Sequence, residues 1–373
     1  MSGALDTRPV APGRGKRSPG PNRPRFIHAF AAVTLAVTSA CGTASSARHG
    51  EQPLSPSRDW VSRRYRTHVL VGRIWNVREN RFTESTALLA AMSEADFVLL
   101  GETHDNPDHH LIQAQLVGAI SATGRQPALA FEMLQTNQQK AIDAALVGRA
   151  PVPDDVAAAV DWRHGSWPDF AFYRPIFAAG MHARLPLLAA DLPRDSVRRF
   201  LSEGAIAFPA PVRELLERAG KPDPRIEAAM ERDMDRAHCG ELPRSALQPL
   251  VTLQRARDAS LSERLLTADI DFSPLGYEQG AILIAGTGHV RRDRGVPAYL
   301  SREAPGRSVL AVALLEVSPD LVRPDDYAGQ LGTEPMPFDY VVFTPATDRT
   351  DPCLELRRRR EARLGRQVST IAR

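Results

Sequence analysis

Apolar runs recur along the body of this chain, separated by stretches with helical character. Four of the runs are continuous rather than alternating: Phe97-Val98-Leu99-Leu100, Pro127-Ala128-Leu129-Ala130-Phe131, Leu185-Pro186-Leu187-Leu188-Ala189-Ala190 and Ala281-Ile282-Leu283-Ile284-Ala285. Short unbroken apolar runs predict strands buried on both faces. Further strands are expected at 67–71, 308–315 and 339–343. Helices are expected near 84–94, 107–122, 135–147 and 194–203, then over much of 211–269. This alternation predicts an α/β fold: a mainly parallel sheet with helices on both faces and a helical insertion at 205–270.

Each of the four runs leads into polar chemistry. The first opens onto Gly101-Glu102-Thr103-His104 and the last onto Gly286-Thr287-Gly288-His289; the other two end at Glu132 and Asp191. Open α/β sheets bind ligands beyond the carboxyl ends of their strands. Glu102, His104, Glu132, Asp191 and His289 are therefore expected on one rim, a set suited to a metal ion or to acid/base work. In the helix over 107–122, Asp105 or Asn106 caps the start and Pro107 suits the first turn. His109 shares the stripe of Ile112, Leu116, Ala119 and Ile120, at its rim end, where it joins the site or packs at the core edge; His110 falls to one side. Near 245–268, Gln254 and Asp258 interrupt an apolar stripe and need partners, either Arg255, Arg257 or a loop, or the site itself.

Residues 161–177 gather Trp162, Trp167, Phe170, Phe172, Tyr173 and Phe177 in a chain that is only 6% aromatic overall. Such a segment either packs onto the sheet or walls a flat apolar ligand such as a porphyrin. Met230, Met234 and His238 share a helical face, and a methionine stripe of this kind reads as core.

The net charge of +3 conceals an uneven distribution. Residues 1–48 carry +6 and residues 354–373 carry +5, which leaves the body at −8. A folded body of that sign argues against a nucleic-acid partner. At the N-terminus a basic region precedes an apolar stretch, Phe26 to Val37, too short for a comfortable membrane span. Thr38-Ser39-Ala40-Cys41-Gly42 follows and resembles a bacterial lipobox, with Thr38 where leucine is usual. The expected organisation is a signal peptide at 1–41, a flexible tether at 42–65, one α/β domain at 66–345 and a basic, disordered tail at 346–373. The mature protein is then extracytoplasmic, held at the cell envelope by lipid on Cys41. In an oxidising compartment Cys239 and Cys353 could pair; a buried free thiol at Cys239 is the expected state.

Several chemistries lack their signatures. There is no Gly-x-Ser-x-Gly elbow, no phosphate-binding Gly-x-x-x-x-Gly-Lys loop and no His-Glu-x-x-His. Cys-x-x-Cys-His is missing, which argues against covalent haem attachment.

Taken together, Leu99-Leu100-Gly101-Glu102-Thr103-His104-Asp105-Asn106, Phe131-Glu132-Met133, Ala237-His238-Cys239-Gly240, Gln254-Arg255-Ala256-Arg257-Asp258 and Gly286-Thr287-Gly288-His289 with Arg294-Gly295-Val296-Pro297 resemble the ChaN-type haem-binding lipoproteins. The resemblance covers about 90–320. It implies haem binding in bacterial iron uptake at the cell envelope. Relatives in the Tiki and erythromycin-esterase-like superfamily include metal-dependent proteases and hydrolases that use paired Gly-x-x-His motifs, matched here by His104 and His289. The family's haem ligation through tyrosine makes Tyr173 the candidate ligand, because it sits in the aromatic segment, with Tyr277, Tyr299 and Tyr327 as rivals. Trp167 and His109 complete the expected haem surroundings.

Two functions follow as expectations. One is a haem-binding envelope lipoprotein whose partners are haem, a membrane and a second copy of the chain. The other is a divalent-metal-dependent hydrolase in which His104, His289, Glu102 and Glu132 hold the ion, and Glu102 or Glu132 serves as the catalytic carboxylate.

Overall fold

Alternate residues of the central strands feed two separate cores, which is why the runs are apolar without a break. Val98, Leu100, Leu129, Phe131, Ile282 and Ile284 face one core, while Phe97, Leu99, Ala130 and Leu283 face the other. The structure, a computed structural model, describes residues 60–147, 150–272 and 280–349, together with 351, 353, 354 and 358. The signal-like segment, Cys41, most of the tether, Tyr277 and most of the basic tail lie outside the described residues.

The elements run β1 (Ile74–Asn76), β2 (Arg81–Thr83), α1 (Ser85–Glu94), β3 (Phe97–Glu102), α2 (Pro107–Ala122), β4 (Ala128–Gln135), α3 (Gln139–Leu146), α4 (Pro153–Ala159), α5 (Phe170–His182), β5 (Leu187–Asp191) and α6 (Arg194–Glu203). They continue with α7 (Ala210–Ala219), α8 (Pro224–Ala237), α9 (Arg244–Phe272), β6 (Ala281–Gly286), α10 (Val296–Glu303), β7 (Val309–Glu316), α11 (Pro324–Leu331) and β8 (Tyr340–Thr344). The strands form one sheet in the order β2-β1-β8-β7-β3-β6-β4-β5. From β8 to β5 every pairing is parallel; β1 and β2 join antiparallel at one edge. The sheet is thus mixed but mostly parallel, with helices on both faces. α1, α2 and α5 contribute to one core, and α9, α10 and α11 to the other.

The topology places the site. β3 and β6 are neighbours, in register from Phe97 opposite Ala281 to Glu102 opposite Gly286. The chain leaves β3 for β4 on one side and leaves β6 for β7 on the other. Connections diverging from adjacent parallel strands open a crevice at their carboxyl ends.

Some elements differ from the sequence reading. Residues 67–71 are turns, not a strand, with His68 N donating to Tyr65 O and Val71 N to His68 O. Val69 is exposed and Leu70 is core, and the run is not a member of the sheet. The edge strands lie further on, at Ile74–Asn76 and Arg81–Thr83. The aromatic segment is largely helix α5, with Asp169 accepting from Ala171 N at its start.

Residues at both ends of the expected domain are fastened to it. Val61 N and Ser62 N donate to the Asp108 carboxylate, and Arg64 pairs with Ala346. Cys239 is no free thiol: it is bonded to Cys353, 114 positions away. The spacing had hidden this pairing, because nothing in the sequence shows that the end of α8 meets the segment after β8.

Candidate functional site

Glu102, the last residue of β3, points toward α2 and α5. Its Oε1 accepts from the Tyr173 hydroxyl at 2.9 Å and lies 2.9 Å from His104 Nδ1. Its Oε2 lies 2.9 Å from His110 Nδ1. Burial by itself would push this carboxyl up, but the His110 and His104 imidazoles outweigh it and hold it at about 2. Glu102 is therefore an ionised, fully enclosed carboxylate.

Glu132 faces the other layer, toward α9. It accepts from Gly286 N at 2.6 Å and from Arg257 Nη2 at 2.8 Å, and His289 Nε2 stands 3.2 Å away. Burial opposes its charge, yet His289, Arg257 and His104 keep it well below the ordinary range. Arg257 also grips Asp191 through Nε at 2.9 Å and Nη2 at 2.8 Å. His289 Nδ1 lies 2.6 Å from Asp258 Oδ1, and Gln254 Nε2 is 3.1 Å from the same nitrogen. Burial would lower the His289 pKa, but Glu132 and Asp258 raise it to about 10. It is an imidazolium between two carboxylates.

Helix α9 explains why these polar groups share one helical phase. Leu261 and Leu265 pack under the strands, while Asp258 and Gln254, one and two turns earlier, reach past the strand ends to His289. The polar interruption in its stripe thus serves the rim.

His104 joins the two halves. Its Nδ1 is held by Glu102, and its Nε2 is 3.9 Å from Glu132 Oε2. Burial would lower its pKa, but Glu132 and Glu102 raise it. Its side chain is 34% exposed, against 5% or less for Glu102, Glu132, Asp258 and His289. His104 is the most exposed member of this cluster. The Trp167 ring packs edge-on against it, with centroids 4.9 Å apart. Trp167 also walls a cavity of about 570 Å³ with Trp162, Pro168, Phe170, Arg163 and Arg174.

Other expected residues sit elsewhere. Tyr173 is fully enclosed, and its hydroxyl is committed to Glu102. Burial, then the Glu102 charge, push its pKa far above the ordinary value. A tyrosinate ligand is unfavourable there, so the expectation that Tyr173 binds haem iron does not fit its surroundings. His109 is also enclosed, receiving Thr103 N at 2.9 Å and contacting Thr344 Oγ1 at 2.8 Å. Burial holds it neutral, at about 3. It fixes the β3–α2 loop to β8 rather than facing the rim, which corrects its assignment as a haem contact. Tyr299 and Tyr327 are buried as well.

His110, set aside in the sequence, is the residue that touches Glu102; its ring also lies 4.2 Å from that of Tyr173. Its Nε2 is 3.0 Å from His104 O. The apolar stripe of α2 gave no signal for it, because α5 covers the second face of that helix.

A divalent ion does not fit this donor set. The Arg257 guanidinium takes lone pairs of both Glu132 and Asp191 and adds a fixed positive charge beside them. Among the described residues, no group of three or more His, Cys, Asp or Glu side chains is arranged to hold a metal ion.

Residues 88–300, more than half of the chain, match the family described as haem-binding uptake, Tiki superfamily, ChaN. Among solved structures, ChaN of Campylobacter jejuni, described with cofacial haem binding, superposes with a TM-score of 0.53 at 17% identity, covering 72% of this chain and 95% of that one. The type III effector HopBA1 gives 0.40 at 14% identity, covering 70% and 92%. An erythromycin esterase, EreC, in its open conformation gives 0.37 at 14%, covering 72% and 80%. At these identities the first likeness shows a shared fold, and the other two carry no argument. No curated protein matches the sequence.

Proposed function

The chain belongs to the ChaN family of haem-binding uptake proteins, and we propose that it is a haem-binding lipoprotein of the cell envelope that serves iron or haem uptake. One juxtaposition carries this reading: a half-open imidazole, His104, abuts Trp167, which also walls an aromatic cavity of about 570 Å³. That volume lies within the usual range for small-molecule sites. Trp162, Trp167 and Phe170 offer apolar faces to a porphyrin, and Arg163 offers charge to a propionate, while Arg174 on the same wall is paired with Asp154. His104 is the half-open group of the cluster: its Nδ1 is held by the Glu102 carboxylate, its Nε2 lies 3.9 Å from Glu132 Oε2, and its ring edge beside Trp167 would meet the ligand. Bound there, the haem iron would supply the ligand chemistry, and the protein would supply the aromatic face, the Arg163 charge and the His104 imidazole.

The envelope location rests on two supports. One is the basic–apolar–Cys41 order of the N-terminus; the other is the Cys239–Cys353 disulfide, since such bonds persist in oxidising compartments. A second copy of the chain remains a proposed partner. Metabolic labelling with a palmitate analogue tests the anchor: label present in the wild type and lost in Cys41→Ser supports it, and equal labelling of both refutes it. For the cavity, Trp167→Ala is expected to weaken haemin binding about tenfold.

Hydrolysis is the second reading, now without a metal. Glu102 holds His104 at the open edge of the cluster, where its imidazole could take a proton from an attacking water. Turnover of simple esters that disappears in His104→Ala would favour it.

A further inference from the structure

A second cavity, of about 300 Å³, lies between α8, α9 and α10, behind the central cluster. Its charged lining is unevenly compensated. Asp258 engages His289 and Asp293 is gripped by Arg291, whereas Asp223 caps α8 through the neutral backbone N–H of Arg225 and keeps its charge. The cations are bonded differently. Arg255 donates to Gly220 O, and Arg302 donates to the carbonyls of Arg218 and Ala219. Carbonyl oxygens satisfy hydrogen bonds without cancelling charge, and with Lys221 and Arg294 the wall holds four cations against three aspartates, so the cavity keeps a positive bias.

Arg294 adds the second observation. It lines the same cavity and is 8% exposed. One of its terminal nitrogens, Nη2, contacts Asp233, while Nη1 is buried with no hydrogen-bond partner. An orphaned donor on a buried guanidinium is costly unless something fills it. Burial, and then the neighbouring Arg291, lower the Arg294 pKa despite three nearby aspartates. The rest of the wall is apolar, including Ile226, Met230 and Ala298.

We propose that this cavity binds a small organic carboxylate, with its charged end beside the Arg294 guanidinium and its apolar body against Ile226, Met230 and Ala298. Because Asp258 borders both the cavity and His289, the bound anion would sit directly behind the rim cluster. The site is separate from the aromatic cavity proposed for haem, so neither reading depends on the other.

Isothermal titration of the full protein with octanoate tests this. The wild type is expected to bind octanoate saturably with one site. Ala298→Phe, a change at an exposed position that fills the cavity and keeps every charge, is expected to weaken binding at least about tenfold. Arg294→Gln is expected to do the same by removing a charge-assisted bond. Should Arg294→Gln fail to fold, Ala298→Phe still decides the matter. Any one of three results overturns the proposal: no saturable heat at millimolar octanoate, unchanged affinity in Ala298→Phe, or equal binding of octylamine. Inorganic phosphate binding as tightly as octanoate would overturn the apolar half of the assignment.

Discussion

His104 lies directly over Gly286. A β-carbon at 286 would stand 2.9 Å from His104 Nε2 and 3.1 Å from Cε1. The two motifs, one after β3 and one at the end of β6, are thus a single device: the glycine of the second leaves room for the histidine of the first. Gly286 also donates its backbone N–H to Glu132. Gly286→Ala is expected to displace His104 while the sheet stays intact. Haemin affinity should fall about as far as in His104→Ala, with an unchanged far-ultraviolet circular dichroism spectrum. Wild-type affinity in Gly286→Ala would show that this contact is dispensable.

Tyr173 separates a structural role from a ligand role. Tyr173→Phe removes a donor from the buried Glu102 carboxylate and should cost about 1–3 kcal/mol in urea unfolding. Haemin affinity and the visible spectrum should stay as in the wild type. A changed haem spectrum with unchanged stability would restore tyrosine as the ligand.

The cluster sets a two-sided pH dependence. His289 has a folded pKa raised to about 10, above its ordinary 6.5. Its contribution is therefore complete below about pH 6.5 and is lost as the pH rises toward 10. Glu102 is depressed to about 2 from 4.5, so its contribution is present above pH 4.5 and is lost as the pH falls toward 2. Urea midpoints between pH 6 and pH 10 should fall in the wild type and fall less in His289→Gln. Parallel profiles would remove His289 as the cause.

Arg257 is the counter-charge for two carboxylates at once. Arg257→Met leaves Glu132 and Asp191 without it and should destabilise the fold by about 3 kcal/mol or more. Arg257→Lys should recover little, since one ammonium cannot reproduce the fork that spans both acids. Full rescue by lysine in thermal unfolding would show that charge alone matters there.

Much of this arrangement was legible in the sequence for physical reasons. Strands β3, β4, β5 and β6 are buried on both faces, so their runs stand out, and an ionisable residue at a strand end has only the rim to occupy. The same logic exposed Gln254 and Asp258, because polar groups in an apolar helical stripe must be answered. The place of His110 was missed because periodicity reports which face is buried but not what a second helix places there, and the clustering of aromatics around Tyr173 did not show that its hydroxyl turns to Glu102. Both lie where α2 meets α5, and their contacts with Glu102 come from packing across 8 and 71 positions of chain. Arg257 looked like a helper for its neighbour Asp258; in the fold it reaches β4 and β5 instead. The run at 67–71 misled because β-propensity is satisfied only where a neighbouring strand is available.

Haemin titration of wild type and His104→Ala, followed in the Soret region, tests the central claim most directly. The account predicts a saturable Soret change in the wild type and at least about tenfold weaker binding in His104→Ala, because the half-open imidazole beside Trp167 is gone. No saturable change in the wild type, or the same spectrum and affinity in His104→Ala, would contradict it.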